Sequence, residues 1–176
     1  MRSLLCLIAG LVPGLDAHAG CDEASARALV SGFYRHHPSS LADAAAIEAA
    51  RPRLSAAFQA DLQAAADYRA RYIEQHPREP SPGGAPDVIY KPPFTDGDMF
   101  TGSPDGATAF EVTRTERAAD GAWRVHVEAL PEPDRSQWKV DAVVRAEREG
   151  CVIDDVGYPD HTPPATLRNY LRARVG

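Results

Sequence analysis

Apolar positions along the chain change period near its middle. Ala26, Leu29, Val30 and Phe33 recur at i, i+3, i+4 and i+7, the stripe of an amphipathic helix. Asp22 or Ser25 supplies its N-cap, and His36-His37-Pro38 ends it, because proline disfavours helical backbone in the residue before it. An Ala-rich helical stretch over 41–50 is interrupted at Pro52, which lacks an amide donor and clashes with the preceding turn. Leu54, Phe58, Leu62, Ala65 and Tyr72 mark a longer helix ending by Gln75. Past residue 107 the period becomes two. Phe110 and Val112, then Trp123, Val125, Val127 and Ala129, then Trp138, Val140, Ala142 and Val144 each alternate with polar residues. That pattern predicts three half-buried antiparallel strands, with turns at Asp120-Gly121, Pro131–Asp134 and Glu149-Gly150. Cys151–Val156 is expected as a shorter fourth strand. Thr162 with Pro163 or Pro164 marks the start of a last helix, whose apolar face is Leu167, Tyr170 and Leu171. Helices followed by a meander give an α+β domain with helices packed on a four-stranded antiparallel sheet.

Between the two halves, residues 77–107 are rich in proline and glycine and exclude long regular elements. Tyr90, Phe94, Met99 and Phe100 give this loop apolar anchors for packing onto the body. Asp96-Gly97-Asp98 reads as a turn; with Asp87 upstream it falls short of the six to eight oxygens that calcium takes. Because loops on a rigid scaffold commonly carry recognition, Tyr90, Phe94, Asp96, Asp98, Met99 and Phe100 are the candidate partner-binding residues.

The first nineteen residues differ from the rest. Arg2 precedes an apolar run from Leu4 to Leu15, and Ala17-His18-Ala19 is a small-x-small cleavage pattern. These are the parts of a secretory signal peptide over 1–19, leaving one domain over 20–176 in the periplasm, with no transmembrane segment. Removing the leader takes away Arg2, Asp16 and Cys6, so the net charge stays at −6 and Cys21 and Cys151 remain. Two cysteines in an oxidising compartment predict a disulfide. Lipidation of Cys21 is the alternative, though His18 stands where a lipobox usually has Leu. The acidic balance excludes a phosphate-backbone footprint, so no nucleic-acid partner is expected.

Signals for chemistry are few. Asp154 and Asp155 end a strand, where alternation sends them to opposite faces. One could serve as an inward general base, with Tyr34 and Tyr68 lining the same pocket. The plainer reading is a carboxylate bonded to backbone or paired with Arg168 or Arg172. His36, His37, His126 and His161 lack zinc spacing, so no metal is expected. Nucleophile-elbow, C-x-x-C and phosphate-loop motifs are absent from the sequence, and no cofactor is expected.

Four short runs carry a resemblance: Gly97-Asp98-Met99-Phe100-Thr101, Trp138-Lys139-Val140, Ile153-Asp154-Asp155-Val156-Gly157-Tyr158 and Thr166-Leu167-Arg168. Together they resemble an uncharacterised family of bacterial envelope proteins, exported or lipidated, similar to the nuclear-transport-factor-2-like (cystatin-like) fold. Cys151 departs from that family, whose last strand more often has a Trp- or Arg-containing stretch there. The resemblance implies helices packed into a curved sheet as a cone, location in the envelope, and action by binding; it carries over no catalytic residue. The expected function is therefore a non-enzymatic protein-binding module in the cell envelope. Two such roles are an immunity protein against an envelope-targeted toxin and an accessory subunit of an envelope complex. A cone-fold enzyme or small-ligand binder using an inward carboxylate is the alternative.

Overall fold

A computed structural model describes residues 20–77, 91–95, 97–103, 107, 109–130, 138–147 and 150–175. The leader, Tyr90, Asp87, Asp96 and much of the 77–107 loop lie outside the described residues. The elements are α1 (Glu23–Tyr34), α2 (Ala44–Ala50), a 3-10 turn (Arg51–Arg53) and α3 (Ala56–Gln75). They continue with β1 (Ala109–Arg117), β2 (Trp123–Leu130), β3 (Trp138–Glu147), β4 (Gly150–Tyr158), β5 (Ala165–Thr166) and α4 (Leu167–Val175).

Local chemistry accounts for the helix ends. Asp22, in extended backbone, accepts from the Ser25 amide at 2.7 Å and starts α1. Asp43 caps α2 through the Ala46 amide at 3.0 Å, and Ser55 caps α3 through the Phe58 amide at 3.0 Å. Pro52 falls in the 3-10 turn that separates α2 from α3, as its missing donor requires. Ala26, Val30, Phe33 and Tyr34 are the buried face of α1, and Phe58, Leu62 and Ala65 that of α3.

The sheet is antiparallel throughout, with order β1-β2-β3-β4-β5. Its inward face presents Val125 and Val127, Val140, Ala142 and Val144, then Ile153, Val156 and Tyr158, all packed in one core with the helical residues. Five strands form where four were expected. The fifth is only two residues long, Ala165 and Thr166 pairing with Tyr158 and Gly157, so it has no alternation to betray it. It also moves the start of the last helix from Thr162–Pro164 to Leu167. β4 runs to Tyr158, two residues beyond its expected end.

A bulge in β4 matters for the chemistry. Val143 faces Asp155 and Val144 faces Ile153, so Asp154 is an extra residue. One inserted residue returns the strand to register with its core face, which is why Ile153 and Val156, three apart, are both buried. Strict alternation of Asp154 and Asp155 therefore does not hold. Nearby, Leu54 bridges in parallel to Ile153, and the Ser55 amide donates to the Ile153 carbonyl at 2.8 Å. Leu54–Ser55 and β5 thus share the edge of β4 away from β3.

Cys21 and Cys151 form a disulfide across 130 residues, and the Trp123 indole N–H donates to the Cys21 carbonyl at 2.9 Å. A sulfur held in this bridge is not available for a thioether lipid. No helix among the described residues is long and apolar enough to cross a membrane.

Candidate functional site

Asp154 and Asp155 line neither of the two clefts described below. Asp154 accepts from the Ser55 hydroxyl at 2.6 Å, Arg145 Nε at 3.0 Å and Arg168 Nη1 at 3.0 Å. Asp155 accepts from the backbone amides of Val156 at 2.8 Å and Arg168 at 3.1 Å. The second of these bonds satisfies a first-turn donor of α4, and the Thr166 hydroxyl takes another, from Asn169, at 3.3 Å. Arg172 goes to Asp61 instead of the pair, at 2.9 Å, and Arg168 Nε joins it there at 2.6 Å. Burial acts to raise the Asp61 carboxyl, but the bonds from Arg172 and Arg168 outweigh it and hold Asp61 below the ordinary aspartate range. These carboxylates tie α3 and α4 to the sheet. Both oxygens of Asp154 and of Asp61 already face donors, which leaves neither carboxylate poised for a substrate proton.

A second polar group sits at the end of α1. His37 Nε2 lies 2.6 Å from Asp98 Oδ2, and its Nδ1 lies 3.1 Å from the Tyr34 carbonyl. Both partners are acceptors, so both contacts are hydrogen bonds only when both ring nitrogens carry protons. Asp98 also accepts from the Phe100 amide at 2.9 Å, while its own amide donates to the Ser103 carbonyl at 2.7 Å. The Tyr34 hydroxyl donates to the Phe100 carbonyl at 3.0 Å, and the Tyr158 hydroxyl donates to the Met99 carbonyl. Burial pushes both phenols well above their ordinary range, with the negative charge of Asp98 adding to it, so they stay protonated donors. The loop over 98–103 is thus locked onto α1 and β4 through its backbone. Sequence reasoning missed the His37–Asp98 pair because the residues stand 61 apart and neither belongs to a motif.

The loop anchors lie inside the molecule. Phe100 is fully buried against Phe33 at 5.3 Å and Phe58 at 6.1 Å, and Met99 and Asp98 are buried beside it. Phe94 is buried too, with edge contacts to Tyr170 at 5.6 Å and Tyr68 at 6.4 Å. It adopts φ 61°, which costs a β-carbon-bearing residue about 1–2 kcal/mol and is offset by burying the ring. These four residues hold the loop to the body and present little side-chain surface outward. Tyr34 lies on the buried face of α1 and Tyr68 on α3 against Phe94, so Tyr34, Tyr68, Asp154 and Asp155 do not converge on one pocket.

Two clefts flank the lock. On one side, Arg27, Ser31, Tyr34, Arg35 and His37 face the start of β1, Ala109–Val112, across about 570 Å³. On the other, Phe94, Met99, Tyr158, His161 and Tyr170, with Lys91 and Asp98, line a more apolar groove of similar size. The outward face of the sheet, by contrast, is a paired ladder. His126 lies 2.7 Å from Asp141 and 3.4 Å from Glu116, and Arg124 reaches the same two carboxylates. No cluster of three metal-ligating side chains with suitable placement occurs among the described residues.

Comparison with family models, with curated proteins and with solved structures gives no match. The functional reading rests on the geometry.

Proposed function

We propose that this chain is an exported, disulfide-stapled binding module that acts on a protein partner in the bacterial envelope and has no catalytic centre of its own. One observation carries the reading: Asp98, Asp154 and His126, which sit beside the clefts and on the sheet, are each engaged by groups of the same chain. Asp98 holds His37, Asp154 holds Ser55, Arg145 and Arg168, and His126 stands between Asp141 and Glu116. A general base needs a free lone pair aimed at a reacting proton, and these three groups, held by their own partners, offer none. The long bridge from Cys21 to Cys151 supports an oxidising compartment. Helices packed on one face of an antiparallel meander support the nuclear-transport-factor-2-like assignment as part of the same proposal.

The test is affinity capture by the oxidised protein from its own envelope extract, followed by mass spectrometry. A stoichiometric protein is expected, and if that protein is toxic when expressed alone, co-expression with this chain should restore growth. Retention of a small molecule with no protein would replace the reading with that of a small-ligand binder.

A further inference from the structure

We infer that the cleft between α1 and β1 receives an extended acidic peptide, which adds to the free edge of β1 as a further strand. The inference rests on the binding-module reading above and names the chemistry of the partner. β1 is the terminal strand of the sheet, and among the described residues no strand pairs with its outer edge. Such an edge offers a row of unmet N–H and C=O groups, the template for strand addition. The Val112 carbonyl points to that edge, because Arg27 Nη2 donates to it. Backbone groups alternate sides along a strand, so Phe110 shares this outward direction. Arg27 thereby occupies one ladder position that a peptide amide would take.

The usable length is set by the strand itself. A register shift falls between Val112 and Arg114, and Arg114, Glu116 and Arg117 follow. Bulges and charges are the devices that protect an edge from pairing. They leave Ala109–Val112 as the open segment, and those four residues form the β1 wall of the cleft. The opposite wall is one face of α1 and its C-cap, where Arg27, Ser31 and Arg35 recur four residues apart.

Charge selects the partner. Arg51, Arg114, Arg124, Arg145, Arg168 and Arg172 each sit against a carboxylate. Arg27 and Arg35, like Arg53, Arg69, Arg71, Arg117 and Arg174, have no carboxylate partner among the described residues; what sets these two apart is that both line one cleft at a strand edge, on a chain of net charge −6. Glu111 is the one carboxylate lining the cleft. Two guanidinium groups bordering a strand edge suit a peptide with acidic side chains, which they can grip with paired hydrogen bonds.

The probe is a fluorescein-labelled octapeptide of alternating Val and Glu, followed by fluorescence anisotropy with the oxidised chain. It is expected to bind at least tenfold tighter than the Val–Lys counterpart and to weaken as salt rises. Methylating one alternate set of its backbone amides should abolish binding, and methylating the other set should leave it, since only one side of an added strand faces β1. The double variant Arg27→Glu/Arg35→Glu should lose at least tenfold in affinity; Arg35→Glu alone, at the exposed residue that follows the last turn of α1, keeps the test open if the double variant does not fold. Absence of binding, or equal binding of the two methylated peptides, overturns strand addition. A dimer in sedimentation that excludes the peptide also overturns it, by assigning the edge to a second copy. Partner capture that survives both charge reversals removes only the cleft from the account, whereas failure of the wild-type chain to capture any protein removes the binding-module reading itself.

Discussion

The two borders of the sheet are built on opposite terms. At β4 the border is covered: Leu54–Ser55 and β5 pair along it, α3 and α4 pack beside it, and the disulfide fastens its first turn. Its charges are matched, Asp61 and Asp154 with Arg168, Arg172 and Arg145. At β1 the border carries no neighbouring strand among the described residues, and the arginines beside it face a cleft without carboxylate partners. The contrast separates residues that hold the fold from residues that, on the proposal above, are available to a partner. A polar group whose partners lie within the chain is explained by stability; an exposed one without them costs the fold nothing and is free to meet a partner.

The comparison can be broken at its strongest point first. Replacing Cys21 and Cys151 by Ser removes a cross-link over 130 residues, which the chain-entropy model values at about 5 kcal/mol. Denaturant unfolding of oxidised wild type against the double variant measures it, and a loss below about 1 kcal/mol would mean that the covered border does not depend on the bridge. Next, Arg168→Ala leaves Asp61 and Asp154, both largely buried, without a shared cation and should cost about 3 kcal/mol. The same truncation at Arg35 should stay within about 0.5 kcal/mol, as for an ordinary surface position. Equal costs at the two sites would erase the distinction between the borders.

The smallest effect is a pH dependence. Asp61 is held below its ordinary value of 3.8 in the folded chain. A lowered folded value gives stability that is complete above the unfolded value and is lost as pH falls through the folded one. The unfolding free energy of wild type should therefore fall below about pH 4, and Asp61→Asn, less stable at neutral pH, should show a shallower acid limb. Parallel acid limbs would show that Asp61 is not differentially ionised.

Local signals were legible in the sequence and distant pairings were not. The Asp22 cap, the break at Pro52 and the alternation in β1, β2 and β3 each depend on neighbouring residues, and each appears where the pattern puts it. The Cys21–Cys151 bridge follows from counting, and the ionic reading of Asp154 follows from the arginines downstream. The bulge at Asp154 escaped because one extra residue leaves composition unchanged while shifting the register of everything after it. β5 escaped because two residues show no period. The burial of Phe94, Met99 and Phe100 depends on the shape of the core beneath them, so their apolar character fitted a recognition loop and an anchored loop equally well.

The bridge also determines how the molecule would transmit tension. Pulled from residues 20 and 175, the oxidised chain is short-circuited by a covalent bond between Cys21 and Cys151, so tension along the backbone bypasses α1, α2, α3 and the first three strands. Between those two points residues 152–175 are what can be drawn out, roughly 80 Å of extended chain, as α4 and β4 peel from one border. Reduction releases the whole intervening segment, roughly 450 Å more at the same length per residue. Under tension the oxidised form would yield by one short step and keep the β1 edge and its cleft intact.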